Sequence, residues 1–163
     1  MAIISFEDYG IDKAVFITNK LFEGADQEGR LHTNVSFSGE IGIDYESEKA
    51  YVLIKNQIGD LEPGNDSEKT AHIPFQMEVE IRGIFSLSLG EFSDVEELKN
   101  ILSSNAIAIL YPYLRSTVST LTSLMNNFPT YTLPVINFAE TLKENDLVSY
   151  IGFENIPNDL FSK

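Results

Sequence analysis

The sequence predicts an α+β protein, in which a four-stranded antiparallel sheet is followed by two main C-terminal helices laid on one of its faces. Three observations predict it. Between residues 33 and 89 apolar and polar side chains alternate, the period of half-buried strands. Further on the spacing becomes helical, with Leu110, Leu114, Val118, Leu121 and Met125 in one stripe. The strands follow one another through short connections, which favours an antiparallel meander.

Taken in order, a first strand is expected over Lys13–Phe22, with Gly10 as a bend before it, and the polar segment 23–30 as a loop. Thr33–Tyr45 has the cleanest alternation. Val35, Phe37, Gly39, Ile41, Ile43 and Tyr45 share one face, and Asn34, Ser36, Ser38, Glu40, Gly42 and Asp44 the other. Ala50–Ile58 alternates less regularly, and residues 59–70 form an acidic, turn-rich connection. Ala71–Leu89 reads as a long strand, with Gly83 marking a bulge. Ser93 is expected to cap the next helix in a capping box with Glu96, and residues 103–105 to separate that helix from the one that follows. Asn105 would cap this second helix from Ala106 to about Asn126, kinked at Pro112, and Asn137 a short last one over Phe138–Glu144. The tail from residue 147 reads as irregular. One domain is expected over 1–163, with strands within about 13–89 and helices within about 94–146.

Composition narrows the function classes. There are 25 acidic against 11 basic residues in 163, a net charge of −14. Such a surface repels phosphate backbones and anionic lipid, so nucleic acid and membranes are not expected partners. No cysteine means no disulfide framework and no thiolate metal site. The N-terminus turns acidic at residue 7 and has no basic region followed by an apolar run, unlike a signal peptide, and no apolar run approaches a membrane span, so a cytoplasmic protein is expected. His32 and His72 have no partner at metal-ligand spacing, and no nucleophile elbow, phosphate loop or dinucleotide glycine pattern occurs. The expectation is no enzyme, no cofactor and no metal.

The distinctive stretch is Asn105–Phe138, whose single charged residue is Arg115. Its helix carries Ser116, Thr117, Ser119, Thr120, Thr122 and Ser123 where a solvated face would carry Lys or Glu. Burial on two sides, once by its own sheet and once by a partner chain, accounts for that composition; a Ser/Thr-rich surface helix is the alternative. Arg115 needs a carboxylate or carbonyl partner if buried, and a structural salt bridge across an interface is favoured over a catalytic or anion-binding role. After the helix, Phe128, Tyr131, Leu133, Val135 and Phe138 lie on a proline-stiffened loop. They either plug the core or form a groove wall, with Tyr131, Leu133 and Val135 expected to point one way.

Residues 110–138 also carry a family likeness. Leu110, Pro112, Tyr113 and Arg115 open the helix, Phe128–Pro129 follow it, and Leu133, Pro134, Val135, Asn137 and Phe138 lead into the last helix. This pattern resembles SecB, the bacterial protein-export chaperone, with Tyr111 in place of a Phe and Ile136 inserted. The resemblance implies a dimer of dimers, a homotetramer with the long helix between dimers. It implies ATP-independent holding of unfolded or non-native polypeptides, exported precursors above all, in grooves of the sheet and the inter-helix loop. The residues that fall there are Phe37, Tyr51, Leu53 and Phe85 on strands and Phe128, Tyr131, Leu133, Val135 and Phe138 on the loop. Those assigned to the oligomer interface are Leu114, Arg115, Val118, Thr120 and Leu121. In the family the SecA motor docks on acidic residues; here Asp60 and Glu62 are the candidates, while Ala14 and Thr18 stand where the first strand would be acidic. Some family members instead protect the antitoxin of a toxin–antitoxin pair, which is the alternative partner.

Overall fold

The computed structural model describes residues 2–62 and 70–161. Its main elements are β1 (Ile4–Thr18), β2 (Val35–Asp44), β3 (Lys49–Ile58), β4 (Phe75–Leu87), α1 (Val95–Ile101), α2 (Ile107–Met125), α3 (Phe138–Glu144) and β5 (Val148–Ile151). The α+β class and the C-terminal helices are as expected. The sheet is not: among the described residues it has five strands, in the order β1-β4-β3-β2-β5. It is mixed, since β5 lies parallel to β2 while the other neighbours are antiparallel. The fifth strand comes from the tail expected to be irregular. It is only 4 residues long, too short for alternation to announce it. Beyond it Phe153, Ile156 and Phe161 are buried and join the core. Part of the acidic connection expected at 59–70 lies outside the described residues.

β1 departs most from expectation. It begins at Ile4, passes straight through Gly10, and pairs with β4 rather than with β2. Its register against β4 shifts between Phe6 and Asp8 and again between Ile11 and Lys13. Glu7 and Asp12 are thus extra residues in the strand, and each resets the alternation that would have revealed it. Both point to the sheet's open face, where Glu7 takes Lys49 Nζ at 3.1 Å and Asp12 takes Arg82 Nε at 2.7 Å. The bulges therefore sit on β1, not at Gly83, whose pairing with Val52 is regular. Gly83 serves a packing role: a Cβ there would lie 3.2 Å from Leu110 Cδ1, so its absence lets α2 settle onto the sheet.

The two long helical segments form one rod. α1 is capped by Asp94, which accepts from Glu97 N at 2.8 Å, one residue later than the expected box at Ser93. Ser93 instead donates its amide to Glu97 Oε2 at 2.7 Å. Residues Leu102–Ala106 form a π turn that joins α1 to α2 without a break, so Asn105 caps nothing. Leu102, Ser103 and Ala106 are buried there. A helix end at that point would strand backbone groups in the core, and the wider turn keeps them bonded. Lys143 of α3 reaches across to Asn100 Oδ1 (2.6 Å) and Ser104 Oγ (3.0 Å). Asn137 caps α3 as expected, accepting from Glu140 N at 3.4 Å.

The β1–β2 connection is knotted around Asp26, whose side chain is 14 % exposed. Its carboxylate accepts from Arg30 N (2.8 Å), Glu28 N (2.9 Å) and Arg30 Nε (3.2 Å) and lies 3.1 Å from His32 Nε2. The Arg30 amide first, and the other donors with it, hold this carboxyl well below the usual carboxylate range against the opposing effect of burial. A lowered folded value means that the stabilisation is fully present above the unfolded value, about 4, and fades as pH falls toward the folded one. Asp26→Ala should therefore lower the denaturant midpoint at pH 7, with the gap to wild type narrowing below about pH 4. A gap unchanged between pH 7 and pH 3 would contradict this.

Candidate functional site

α2 presents four different sides, and each is set by sequence. One side, with Ile107, Leu110, Leu114 and Val118, is fully buried on the sheet. Leu114 and Val118, expected at an oligomer interface, are thus core residues of their own chain.

The second side is covered by the extended segment 129–137, which runs antiparallel to the helix. Four side chains at helical spacing clamp it. Tyr111 donates its hydroxyl to Pro134 O at 2.8 Å, and Arg115 Nε donates to Leu133 O at 2.9 Å. Ser119 Oγ bonds Thr132 Oγ1 at 3.2 Å, and Thr122 Oγ1 accepts from Tyr131 N at 2.9 Å. Burial raises the Tyr111 phenol above its ordinary value, which keeps it the neutral donor this bond requires. Of the small polar face expected to await a partner chain, Ser119 and Thr122 are therefore engaged by the chain itself, while Ser116, Thr120 and Ser123 stay exposed. Arg115 is a tie within one chain, to a carbonyl, and has no ion pair among the described residues.

The third side faces outward with Ile109, Pro112, Ser116, Thr120 and Leu124, none of them charged, and Leu124 is 70 % exposed. Pro112 removes the donor for the Ala108 carbonyl on this exposed flank, where water can replace it. The hydroxyl of Ser123, also exposed, turns back to the helix backbone, bonding Thr120 O at 2.8 Å.

The fourth side looks toward β1. Tyr113 packs on Phe6 (5.6 Å between ring centroids) and Tyr9 (4.3 Å). At the far end Phe128 meets Phe22 at 5.5 Å and Phe75 at 5.8 Å, and Phe75 stacks on Phe16 at 5.0 Å. Ile11, 50 % exposed, and the exposed Ala14 lie on β1 between these aromatic ends. The result is an apolar channel beside a strand that pairs only with β4, so its outer edge can accept another extended chain.

The expected groove residues do not form one groove. Phe85, Leu133 and Phe138 are buried, with Phe138 stacked on Tyr111 at 4.1 Å and edge-on to the half-buried Phe37 at 4.9 Å. Phe128 and Tyr131 are half-buried, whereas Val135 is 83 % exposed. Tyr51 and Leu53 lie on the opposite, open face of the sheet, where Tyr51 donates to Glu40 at 2.9 Å and sits under Arg82. Among the described residues that face carries the ion pairs Lys49–Glu7, Arg82–Asp12 and Lys13–Glu78 beside the apolar Leu53, Ile84 and Ile17. Tyr9 and Ile11 were missed because the β1 bulges hide their alternation, and Tyr113 because it lies outside the apolar stripe of α2. Asp60 and Glu62 are exposed at the end of the sheet where Thr18 pairs with Phe75, and Glu62 N bonds Asp60 Oδ1 at 3.0 Å. Among the described residues no group of three or more His, Asp or Glu is placed to hold a metal, and no helix is long and apolar enough to cross a membrane.

As a class, these elements define an α+β scaffold with exposed apolar surface on two sides of a helix whose one charged residue is Arg115. Residues 60–146, more than half of the 163, match the model of SecB, preprotein translocase subunit SecB. The chain belongs to the SecB family. An uncharacterized protein of Methanocaldococcus jannaschii is 29% identical over 137 residues, covering 83% of this chain and 80% of that protein. Among solved structures, the Mycobacterium tuberculosis Rv1957 SecB-like chaperone, in complex with a ChAD peptide from the Rv1956 HigA1 antitoxin, superposes with a TM-score of 0.62 at 18% identity. The match covers 82% of this chain and 90% of that one, and it shows a shared fold.

Proposed function

We propose that this protein is an ATP-independent holdase that binds unfolded or non-native polypeptides without catalysing a reaction. The observation that carries the reading is the channel between β1 and α2: aromatic ends, an exposed apolar floor and an open strand edge within a strongly acidic chain. An extended client can add its backbone to that edge and lay alternate apolar side chains in the channel. Apolar burial is then the main term, so client binding survives salt that would screen a purely ionic contact. Many weak contacts along one chain sum by multivalency.

Family membership supports a cytoplasmic role in export, with SecA engaging acidic residues. Asp60 and Glu62 remain for that purpose, but Ala14 and Thr18 leave β1 without its acidic pair. This departure favours a second reading, a dedicated chaperone of a toxin–antitoxin system, and the antitoxin peptide held by the structural relative supports it. An inventory of the proteins that co-purify with the chain separates the two. A heterogeneous set of precursors fits the export holdase, one recurrent antitoxin fits the dedicated chaperone, and an empty inventory sinks both.

Assembly as a homotetramer is carried by the outward side of α2. Ile109, Pro112, Ser116, Thr120 and Leu124 offer a charge-free strip, and of the five residues first assigned to the interface only Thr120 lies on it. Thr120→Arg puts a cation at its centre and should shift native mass from tetramer toward dimer, with the circular-dichroism spectrum unchanged. A mass that does not move would place the interface elsewhere.

A further inference from the structure

Between α2 and the start of α3 lies a pocket of about 200 Å³ whose lining includes one charged residue, Arg115, and no acid. In a chain of net charge −14 that is a local reversal of sign. Among the described residues the guanidinium uses only Nε, on Leu133 O, which leaves its terminal N–H groups without a protein acceptor. A planar fork of this kind is made for a carboxylate, which it takes with two parallel bonds. The extended segment adds a second feature. Its carbonyls at Leu133, Pro134 and Ile136 are occupied, whereas the amides of Val135, Ile136 and Asn137 bond to nothing among the described residues. Unpaired amides along an extended backbone suit a peptide better than a small free acid.

We propose that this pocket receives the C-terminal residue of a bound client, its carboxylate on Arg115 and its apolar side chain against Tyr111, Val135, Ile136 and Phe138. The proposal rests on the holdase reading and specifies one end of the client. A chain terminus fits because it places charge and apolar group on a single residue, as a pocket of this size demands. An internal Glu would need a second residue to fill the apolar part.

The test uses the full chain and one apolar decapeptide ending in Leu, prepared as free acid, as C-terminal amide, and as amide with an internal Glu. Wild type should bind the free acid about tenfold more tightly than either amide, against the repulsion of its own net charge. Arg115→Gln should bring that ratio close to one. Because this change also loosens the segment, Val135→Asp, at an exposed position that makes none of the clamps, provides a second variant and should weaken the acid more than the amide. Equal binding of acid and amide by wild type overturns the proposal while leaving the holdase reading intact. Tighter binding of the internal Glu peptide likewise overturns it, as does a ratio that persists in Arg115→Gln. If equal binding is joined by a change in native mass on Arg115→Gln, the pocket belongs to a second copy of the chain. Failure of all three peptides to bind, together with failure to keep a client soluble, counts against both.

Discussion

Phe138→Ala is expected to lower the stability of the folded chain by about 3–5 kcal/mol, the usual cost of deleting a fully buried aromatic ring. The ring is 2 % exposed, stacks on Tyr111 at 4.1 Å and meets Phe37 edge-on at 4.9 Å. Its removal leaves a cavity under the junction of the extended segment with α3, and Tyr111 loses the surface that aims its hydroxyl at Pro134. The first clamp should therefore loosen along with the core. A thermal midpoint lowered by roughly 10 °C is the expected reading for a chain of this length. A shift of about 2 °C or less would mean that the site collapses around the gap and that the ring does not set the segment's position.

Gly59→Ala should destabilise by a comparable amount, about 2–5 kcal/mol, for a different reason. Gly59 directly follows β3 with φ +71°, a backbone region that L side chains rarely adopt. A methyl group there would lie 2.1 Å from the Phe75 carbonyl oxygen, at the first residue of β4. The obstacle is backbone and cannot rotate away, so the start of β4 must move and the pairing of Ile58 with Met77 beside it must fray. Amide exchange should quicken first at that end of the sheet. Exchange unaltered there, with the midpoint unchanged, would show that the connection yields without disturbing the strands.

How far the sequence reveals this structure depends on how local the signal is. β2 is found nearly to the residue because its alternation is unbroken, and β3, less regular, because its apolar run is bounded by turn-rich segments on both sides. β1 was half lost because Glu7 and Asp12 reset its period twice, and its partner strand lies far along the chain. The stripe of α2 was plain, but what covers its other sides was not. Of the Ser/Thr residues only Ser119 and Thr122 bond to a cover, and that cover is the chain's own segment, while Ser116, Thr120 and Ser123 are exposed; nothing in a hydroxyl's chemistry says whether its partner is in cis or in trans. The same segment defeated the alternation rule. Leu133 is buried and Val135 exposed, because side-chain clamps rather than a strand ladder fix this backbone, and no period of two is imposed. The salt bridge expected of Arg115 across an interface is not what the fold shows: its Nε donates to a carbonyl of the same chain.

The central claim is that the channel between β1 and α2 holds non-native polypeptide, and light scattering from an aggregating client tests it most directly. A chemically unfolded client diluted into buffer with a stoichiometric amount of the protein, without nucleotide, should stay in solution, and Ile11→Asp in the channel should weaken that protection while the fold persists. Aggregation at the same rate and extent with and without the wild-type protein would contradict the account.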